Sequence, residues 1–293
     1  MSSKKVKVLF DSSKRFQCSN NNPLFYLPNV GIKATHFYIN RITIPHSFYN
    51  IQAHIQSNYN NIGNNLIEWV DSAGQTNITY LDEGDYNLTQ LLTHLGAKMT
   101  AAASDSKTYT ASVNSITKKI TFTNNTASNF QIKWNSSSIQ LNGRSPCQEL
   151  GKMLGFSSSE TCTDFYGDNN NLSDSVGAGT YTGHNNYWIG FPRNIYVFSD
   201  IPNATNQYKS STFFSVKNGV NNYIEEGKNN ILACIPVVSN YGDVINFEPE
   251  VKEIIELNTN SNLTQVKFEL RNDIFDRLDL RGQPWICEIV FLS

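Results

Sequence analysis

The stretch LTQVKFELRNDIFDRLDLRGQPWICEIVFLS (Leu263–Ser293) holds two strands of different character. In its first part, Val266, Phe268 and Leu270 alternate with polar residues, which is the period of a strand with one buried face. Its last part, Trp285–Leu292, is apolar at nearly every position and indicates a strand covered on both faces. Such a strand needs a partner on each side, so we expect it to pair with distant parts of the sequence.

Strand patterns recur towards both ends of the chain. His36–Ile44 is rich in β-branched and aromatic residues, and its phase slips between Ile39 and Ile42, which predicts a β-bulge. An edge strand is predicted at Lys5–Asp11. Further strands are predicted at 66–70, 77–81, 188–191, 194–198, 211–216, 231–238, 244–247 and 253–257. Because no helix alternates with them, we predict antiparallel sheets and a mainly β fold, a jelly-roll sandwich interrupted by an inserted α+β domain.

Two helices are predicted in the middle of the chain, around a β-hairpin at 109–124. The first begins after Asn87, which makes a capping pair with Gln90, and its apolar residues follow helical spacing at Leu88, Leu91, Leu92, Leu95 and Met99. The second has Ser145 as its cap, Pro146 in the first helical position, Gln148 completing a capping box and Gly155 at its end. The predicted boundaries are 1–84 for the first part of the jelly roll with an N-terminal arm, 85–185 for the inserted domain and 186–293 for the second part of the jelly roll.

The composition excludes several classes of protein. Charged residues make up only 16% of the chain, the formal net charge is −2, and the polar surface is supplied by 38 asparagines, so the chain as a whole has no electrostatic footprint for wrapping nucleic acid. The five cysteines are odd in number and lack CxxC spacing, which argues against a disulfide framework or a zinc cage. Cys234 and Cys287 are interpreted as core residues. We expect a reducing compartment, no signal peptide and no membrane span.

No pattern of catalytic residues is present, so we predict that the protein is not an enzyme and uses no metal or cofactor. The histidines have no ligand spacing; they are His36, His46, His54, His94 and His184. The acidic cluster at 82–85 is interpreted as a turn before a helix rather than a cation site. The segment 168–174 lacks the central glycine and terminal glutamate of a calcium loop, and 177–179 is interpreted as a linker rather than a nucleotide loop.

The basic N-terminal arm leaves two interpretations open. Its charges are Lys4, Lys5, Lys7, Lys14 and Arg15. They could make a weak, salt-sensitive contact with a nucleic-acid phosphate backbone, or they could belong to a solvated or protein-docked terminus.

Several segments, taken in their order along the chain, resemble capsid proteins of virophages and polinton-like elements. They are DSSKRF (11–16), PLFYL (23–27), INRITIPHSFYNI (39–51), LDEGDYNLTQLLTHL (81–95), KKITF (118–122), KMLGF (152–156), NIYVFSD (194–200), ILACIPV (231–237), INFEP (245–249) and FELRNDIFDRLDLRGQPWICEI (268–289). With one predicted jelly roll, the chain is similar to the penton, or vertex, proteins of this group.

That resemblance implies a homopentamer at the fivefold vertices of an icosahedral shell, in contact with neighbouring major capsid protein trimers. It also implies a location in the virion, assembly in the host cytoplasm and an inserted domain on the outer surface. The alternative is a jelly-roll carbohydrate- or receptor-binding protein whose inserted domain is the recognition surface. Exposed aromatic residues flanking a groove would favour it, and the candidates are Trp134, Trp188 and the loop at Tyr166.

Overall fold

The computed structural model describes residues 5–15, 22–27, 31–53, 62–134, 145–156, 179–183, 185–201, 230–257, 262–273 and 276–293. Its two helices are α1 (Leu88–Ala102) and α2 (Pro146–Met153). In chain order its strands are β1 (Lys5–Asp11), β2 (Leu24–Tyr26), β3 (Ile32–Lys33), β4 (His36–Pro45), β5 (Leu66–Val70), β6 (Thr76–Tyr80), β7 (Tyr109–Val113), β8 (Ile120–Asn124), β9 (Gln131–Ile132), β10 (Thr180–Thr182), β11 (Asn194–Ser199), β12 (Asn230–Pro236), β13 (Val244–Phe247), β14 (Ile255–Glu256), β15 (Asn262–Leu263), β16 (Gln265–Arg271) and β17 (Ile286–Leu292).

The chain divides into two compact units. The first unit joins Met1–Phe48 to Pro192–Ser293, and the second unit is Tyr49–Phe191. Every strand pairing that the structure describes is antiparallel, as predicted.

Eight strands of the first unit lie in two sheets, with the orders β1-β17-β4-β13 and β12-β11-β16-β2; in addition, β14 pairs with β4, and β3 pairs with β15. If these eight strands are numbered one to eight along the chain, strand one pairs with eight, two with seven, three with six and four with five. A long antiparallel hairpin that wraps into two sheets makes these four pairings, and this is the order of a jelly roll. The predicted mainly β fold with antiparallel sheets is therefore confirmed, and the described strands pair in the order that a jelly roll requires.

Strand β17 lies inside its sheet and has a partner on each side. It pairs with β1 along its whole length and with β4 on the other edge. The two sheets meet in one core, where the Phe10 ring of the first sheet lies 5.2 Å from Phe25 and 5.0 Å from Phe268 of the second, both edge to face. The apolar run at Trp285–Leu292 is thus explained by pairing between sequence-distant ends of the chain.

A β-bulge in β4 explains the slip in its apolar pattern. Arg41 lies opposite Glu288 and Ile39 lies opposite Ile289, so Asn40 has no direct partner across the ladder. The extra residue shifts the alternation of side chains between the two faces of the strand by one position. As a result, Phe37 and Ile39 before it and Ile42 and Ile44 after it all pack into the same core.

The second unit has its own apolar core, around which both helices and two three-stranded sheets pack. The sheets have the orders β6-β5-β9 and β10-β8-β7. Helix α1 turns Leu91, Leu95 and Met99 into this core. The largest side chains buried there include Trp69 and Trp134.

The predicted caps of both helices are present, but the hydrogen bond that caps the start of α2 differs from the predicted one. Asn87 and Gln90 form the predicted capping box of α1. Ser145 caps α2, but its Oγ accepts from the N–H of Cys147 at 3.3 Å rather than from that of Gln148. Gly155 has φ +84°, and the N–H of Phe156 donates to the carbonyl of Gly151 at 2.8 Å, which closes the helix in a Schellman motif.

The unit boundaries correct the predicted limits of the insertion. Strands β5 and β6 were assigned to the first part of the jelly roll (1–84), yet they lie in the second unit, which spans Tyr49–Phe191 rather than 85–185. Strand β5 pairs with β6 and β9 and contacts α2. The sequence of a short apolar strand does not indicate which sheet it joins, because its partner strands lie far away in sequence.

Two further predictions are corrected by the structure. The segment 188–191 is not a strand; Ile189 and Phe191 pack against the second core from an irregular segment. Cys234 is exposed, whereas Cys287 is buried as predicted. Cys234 lies on the opposite face of β12 from Ala233 and Ile235, which enter the core. The predicted strand at 211–216 lies outside the described residues.

Candidate interaction surfaces

The outer face of the first jelly-roll sheet carries a charged network centred on Glu288. This residue is the single acidic position in β17, and its side chain is 6% exposed. Lys7 Nζ of β1 lies 2.9 Å from Glu288 Oε1, and Arg41 Nε of β4 lies 3.7 Å from Glu288 Oε2. One carboxylate therefore links three adjacent strands.

The network continues to the far side of the sheet through the bulge. Asn40 donates from its amide nitrogen to Glu288, and its amide oxygen accepts from Lys252 Nζ. Lys252 also lies over the Tyr38 ring at 5.7 Å and 3.7 Å from Glu248 Oε1. The bulge therefore has two roles. It keeps the apolar side chains of β4 on the core face, and it anchors the connection between β13 and β14.

These contacts control the ionisation of Glu288. Burial alone would raise the pKa of this carboxyl, but hydrogen bonds from Lys7 and Asn40 and the nearby charges of Lys7 and Arg41 hold its pKa below the usual value. Glu288 is therefore an ionised, satisfied carboxylate in the middle of the sheet face. A buried charge of this kind is tolerated only when its partners are present.

One edge of this sheet is basic. Strand β1 and the turn after it, residues 5–15, contain four basic residues and one acidic residue, a formal charge of +3. Lys5, Lys7 and Lys14 are exposed, and Leu9 is 53% exposed beside them. We call this surface the basic edge. Within the described residues, β1 pairs only with β17, and no described strand pairs with its other side.

The opposite edge is acidic and partly apolar. It is formed by β13, β14 and the connection between them, and residues 243–256 contain five acidic residues and one lysine, a formal charge of −4. We call this surface the acidic edge. All five carboxylates are exposed; they are Asp243, Glu248, Glu250, Glu253 and Glu256. Val244, Val251 and Ile254 are also exposed, by 52%, 82% and 56%.

Sequence reasoning missed the acidic edge, although a signal was present. Five acidic residues within fourteen positions stand out in a chain in which only 16% of residues are charged. Their place opposite the basic residues follows from the pairing of β13 with β4 and of β1 with β17, which the local pattern does not show.

The second unit presents a different surface, uncharged and hydroxyl-rich. One face of the sheet β10-β8-β7 carries paired threonines: Thr110 and Thr123 hydroxyls lie 2.7 Å apart, and Thr121 and Thr182 hydroxyls lie 2.9 Å apart.

The aromatic candidates for ligand recognition differ in their exposure. Trp134 is fully buried in the core, so its prediction as a recognition residue is wrong, whereas Trp188 is half exposed. The loop at Tyr166 lies outside the described residues.

The described histidines make structural contacts. His36 Nδ1 lies 2.9 Å from Thr35 Oγ1, and the His46 ring stacks on Phe48 at 4.4 Å. His94 Nε2 lies 3.2 Å from Asp82 Oδ2, and Lys98 Nζ lies 3.0 Å from the other carboxylate oxygen. His54 and His184 lie outside the described residues, as do the segment 168–174 and residues 177 and 178.

The acidic cluster at 82–85 directs its carboxylates to different partners. Asp82 pairs with His94 and Lys98, while Glu83 Oε1 accepts from the N–H of Ala53 at 3.0 Å. In the described part of the chain, no group of three or more His, Cys, Asp or Glu side chains is placed to hold a metal ion. Neither of the two described helices is long and apolar enough to cross a membrane.

Comparison with known proteins gives structural neighbours only. No protein-family model and no curated protein matches this chain. The mavirus penton protein is similar over 99% of this chain and 99% of its own, with a TM-score of 0.45 and 10% sequence identity. A chain in the cryo-electron-microscopy structure of the Sputnik virophage is similar over 99% of this chain and 97% of its own, with a TM-score of 0.39 and 12% identity.

Proposed function

We propose that this chain is a structural capsid protein that forms homopentameric pentons at the fivefold vertices of an icosahedral shell. The observation that carries the proposal is the jelly-roll order of eight strands drawn from both ends of the chain. This is the architecture that the resemblance to virophage penton proteins implies. Jelly rolls serve in capsids and also in lectins, so the fold supports the proposal by analogy.

In this proposal the protein has no catalytic role, and its partners are other proteins of the shell. Each vertex ring contacts the neighbouring major capsid protein trimers, and the second unit carries the surface that is available for host contact. The protein is located in the virion and is assembled into it in the host cytoplasm. Low charge density favours such packing, because charged residues are depleted at the centres of protein interfaces.

The predicted contact between the basic arm and packaged DNA is left out of the proposal. Lys5 and Lys7 belong to a paired strand, and the charge of Lys7 is already matched by Glu288. Fewer free charges remain for a phosphate backbone than the sequence suggests, and each lost contact weakens counterion-driven binding.

Native mass spectrometry of the purified chain tests the proposal. We expect a species of five times the 33.0 kDa chain mass, which grows with protein concentration. A chain that stays monomeric at every concentration, or that forms only dimers, contradicts the proposal.

A second candidate function is recognition of a glycan by the second unit, and the half-exposed Trp188 favours it. Its indole N–H donates to the carbonyl of Gly190 at 2.8 Å, which holds the ring in place. A glycan array separates the two functions. A sugar that binds the wild-type chain and not Trp188→Ala supports recognition, while no bound glycan removes this candidate.

A further inference from the structure

We infer that the ring of this protein is built by head-to-tail contact between the basic edge of one copy and the acidic edge of the next. This inference rests on the proposed function, and it adds the surfaces that meet and the direction in which they join. The partner at each edge is a second copy of this chain.

The first argument is geometric. The two edges belong to the same sheet, with the order β1-β17-β4-β13, and β14 continues the β13 edge along β4. Three strand spacings of about 4.8 Å place the edges about 14 Å apart on opposite sides. A contact that uses two different, opposite surfaces of each copy is heterologous, and such contacts form a ring when the rotation between copies closes.

The two edges carry complementary charge. The formal charge is +3 over residues 5–15, where Lys7 is paired with Glu288, and −4 over residues 243–256, while the whole chain carries only −2. Within the described residues, Lys5, Glu250 and Glu253 are exposed and form no ion pair with another side chain; Lys14 is also exposed, and its charge helps to lower the pKa of the nearby Asp11 carboxyl. Their charges are therefore available to another molecule, where facing charges of opposite sign speed association and set the register.

The same charges disfavour the competing symmetric dimer. In a twofold contact the same patch meets itself, so two basic edges or two acidic edges would face each other. Like charges placed opposite each other at an interface exclude the wrong pairing. The distribution of charge thus selects the head-to-tail contact over the isologous one.

Apolar side chains lie beside the charges at both edges. Leu9 is exposed on the basic edge, and Val244, Val251 and Ile254 are exposed on the acidic edge. Burial of these side chains supplies the apolar contribution that charge alone does not provide. An open strand edge with exposed apolar residues is otherwise a liability for uncontrolled association, and a specific partner removes that liability.

Charge reversal tests the inference. The basic-edge variant is Lys5→Glu/Lys14→Glu, the acidic-edge variant is Glu250→Lys/Glu253→Lys, and the swap variant carries all four changes. We expect each single-edge variant to need at least about tenfold more protein for half-assembly, because the attraction between the two edges is then lost. The swap variant makes the substituted positions of the two edges opposite in charge again, and we expect its assembly to be restored towards that of wild type.

The matched control is Lys118→Glu/Lys119→Glu, in the β7–β8 hairpin of the second unit, which changes the net charge as much as the basic-edge variant does. We expect it to assemble as wild type. Circular dichroism of every variant checks that the strands are intact. Half-assembly is measured by native mass spectrometry and by sedimentation velocity at low ionic strength.

The outcomes separate this inference from the proposed function. A wild-type chain that never forms a ring contradicts both. A wild-type pentamer whose single-edge variants assemble unchanged, or whose swap variant is not restored, overturns only the inference. If the basic-edge variant assembles normally but loses binding to duplex DNA, the basic edge is a nucleic-acid surface and the inference is wrong.

Discussion

Ser12 and Trp285 exchange two hydrogen bonds although 273 positions separate them in sequence. The N–H of Ser12 donates to the carbonyl of Trp285 at 2.9 Å, and the N–H of Trp285 donates to Ser12 Oγ at 2.8 Å. Both residues are almost fully buried. This pair fastens the segment that follows β1 to the segment that precedes β17, at the point where the two ends of the chain enter one sheet.

The first prediction concerns this pair. We expect Ser12→Ala to lower the free energy of unfolding by about 1–3 kcal/mol, because the buried N–H of Trp285 loses its acceptor. Chemical denaturation followed by tryptophan fluorescence measures the change. The control is Ser13→Ala, whose hydroxyl makes only an exposed bond to Asp11, and we expect it to change stability by less than about 0.5 kcal/mol. Equal effects of the two substitutions would contradict the interpretation.

The second prediction concerns the acid stability of the second unit. Burial alone would raise the pKa of the Asp71 carboxyl, but it accepts hydrogen bonds from Ser104, Asn77, Gln75 and Ala73, which lower its pKa to about 2. Because this pKa is lower in the folded chain than in the unfolded chain, where it is 3.8, ionised Asp71 stabilises the fold fully at pH values above 3.8. This stabilisation is lost as the pH falls through about 2.

Asp71→Asn tests this expectation. We expect a loss of about 2 kcal/mol at pH 7, since a charged acceptor of several hydrogen bonds is replaced. The difference from wild type should then shrink between about pH 4 and pH 2. Denaturation at a series of pH values measures it, with Asp82→Asn as the exposed control. A difference that stays constant across this range would contradict the assigned pKa.

The third prediction concerns the packing of α2. A Cβ added at Gly151 would lie 2.8 Å from the Trp134 ring, closer than side chains tolerate. Alanine improves helix propensity by about 1 kcal/mol, but overpacking a dense core costs about 1–3 kcal/mol. We expect Gly151→Ala to be neutral at best and otherwise destabilising in thermal denaturation. The control, Thr93→Ala at an exposed position of α1, should not destabilise the chain. A clear rise in melting temperature for Gly151→Ala would contradict this prediction and show that the Trp134 ring moves aside at little energetic cost.

The sequence predicts best the features that local patterning determines. The slip between Ile39 and Ile42 predicts the bulge, because a strand can keep one buried face through a slip only by adding a residue. Asn87 and Gly155 predict the ends of the helices, because capping depends on groups within a few residues of each other. The apolar run at Trp285–Leu292 predicts a strand with partners on both sides, and the structure confirms it.

Features that depend on distant partners are predicted less well. The pattern of β5 identifies a strand but not its sheet, so the boundary at residue 84 is wrong. Cys234 lies in an apolar run, yet β12 is an edge strand whose outward face is exposed. The acidic edge becomes visible only when β13 and β14 are placed along β4, on the other side of the sheet from β1.

Cryo-electron microscopy of particles that contain this protein tests the central claim most directly. We expect five copies around each fivefold axis, with the first unit of each copy in the shell. Density for the chain at positions away from the fivefold axes, or its absence from purified particles, would contradict the account.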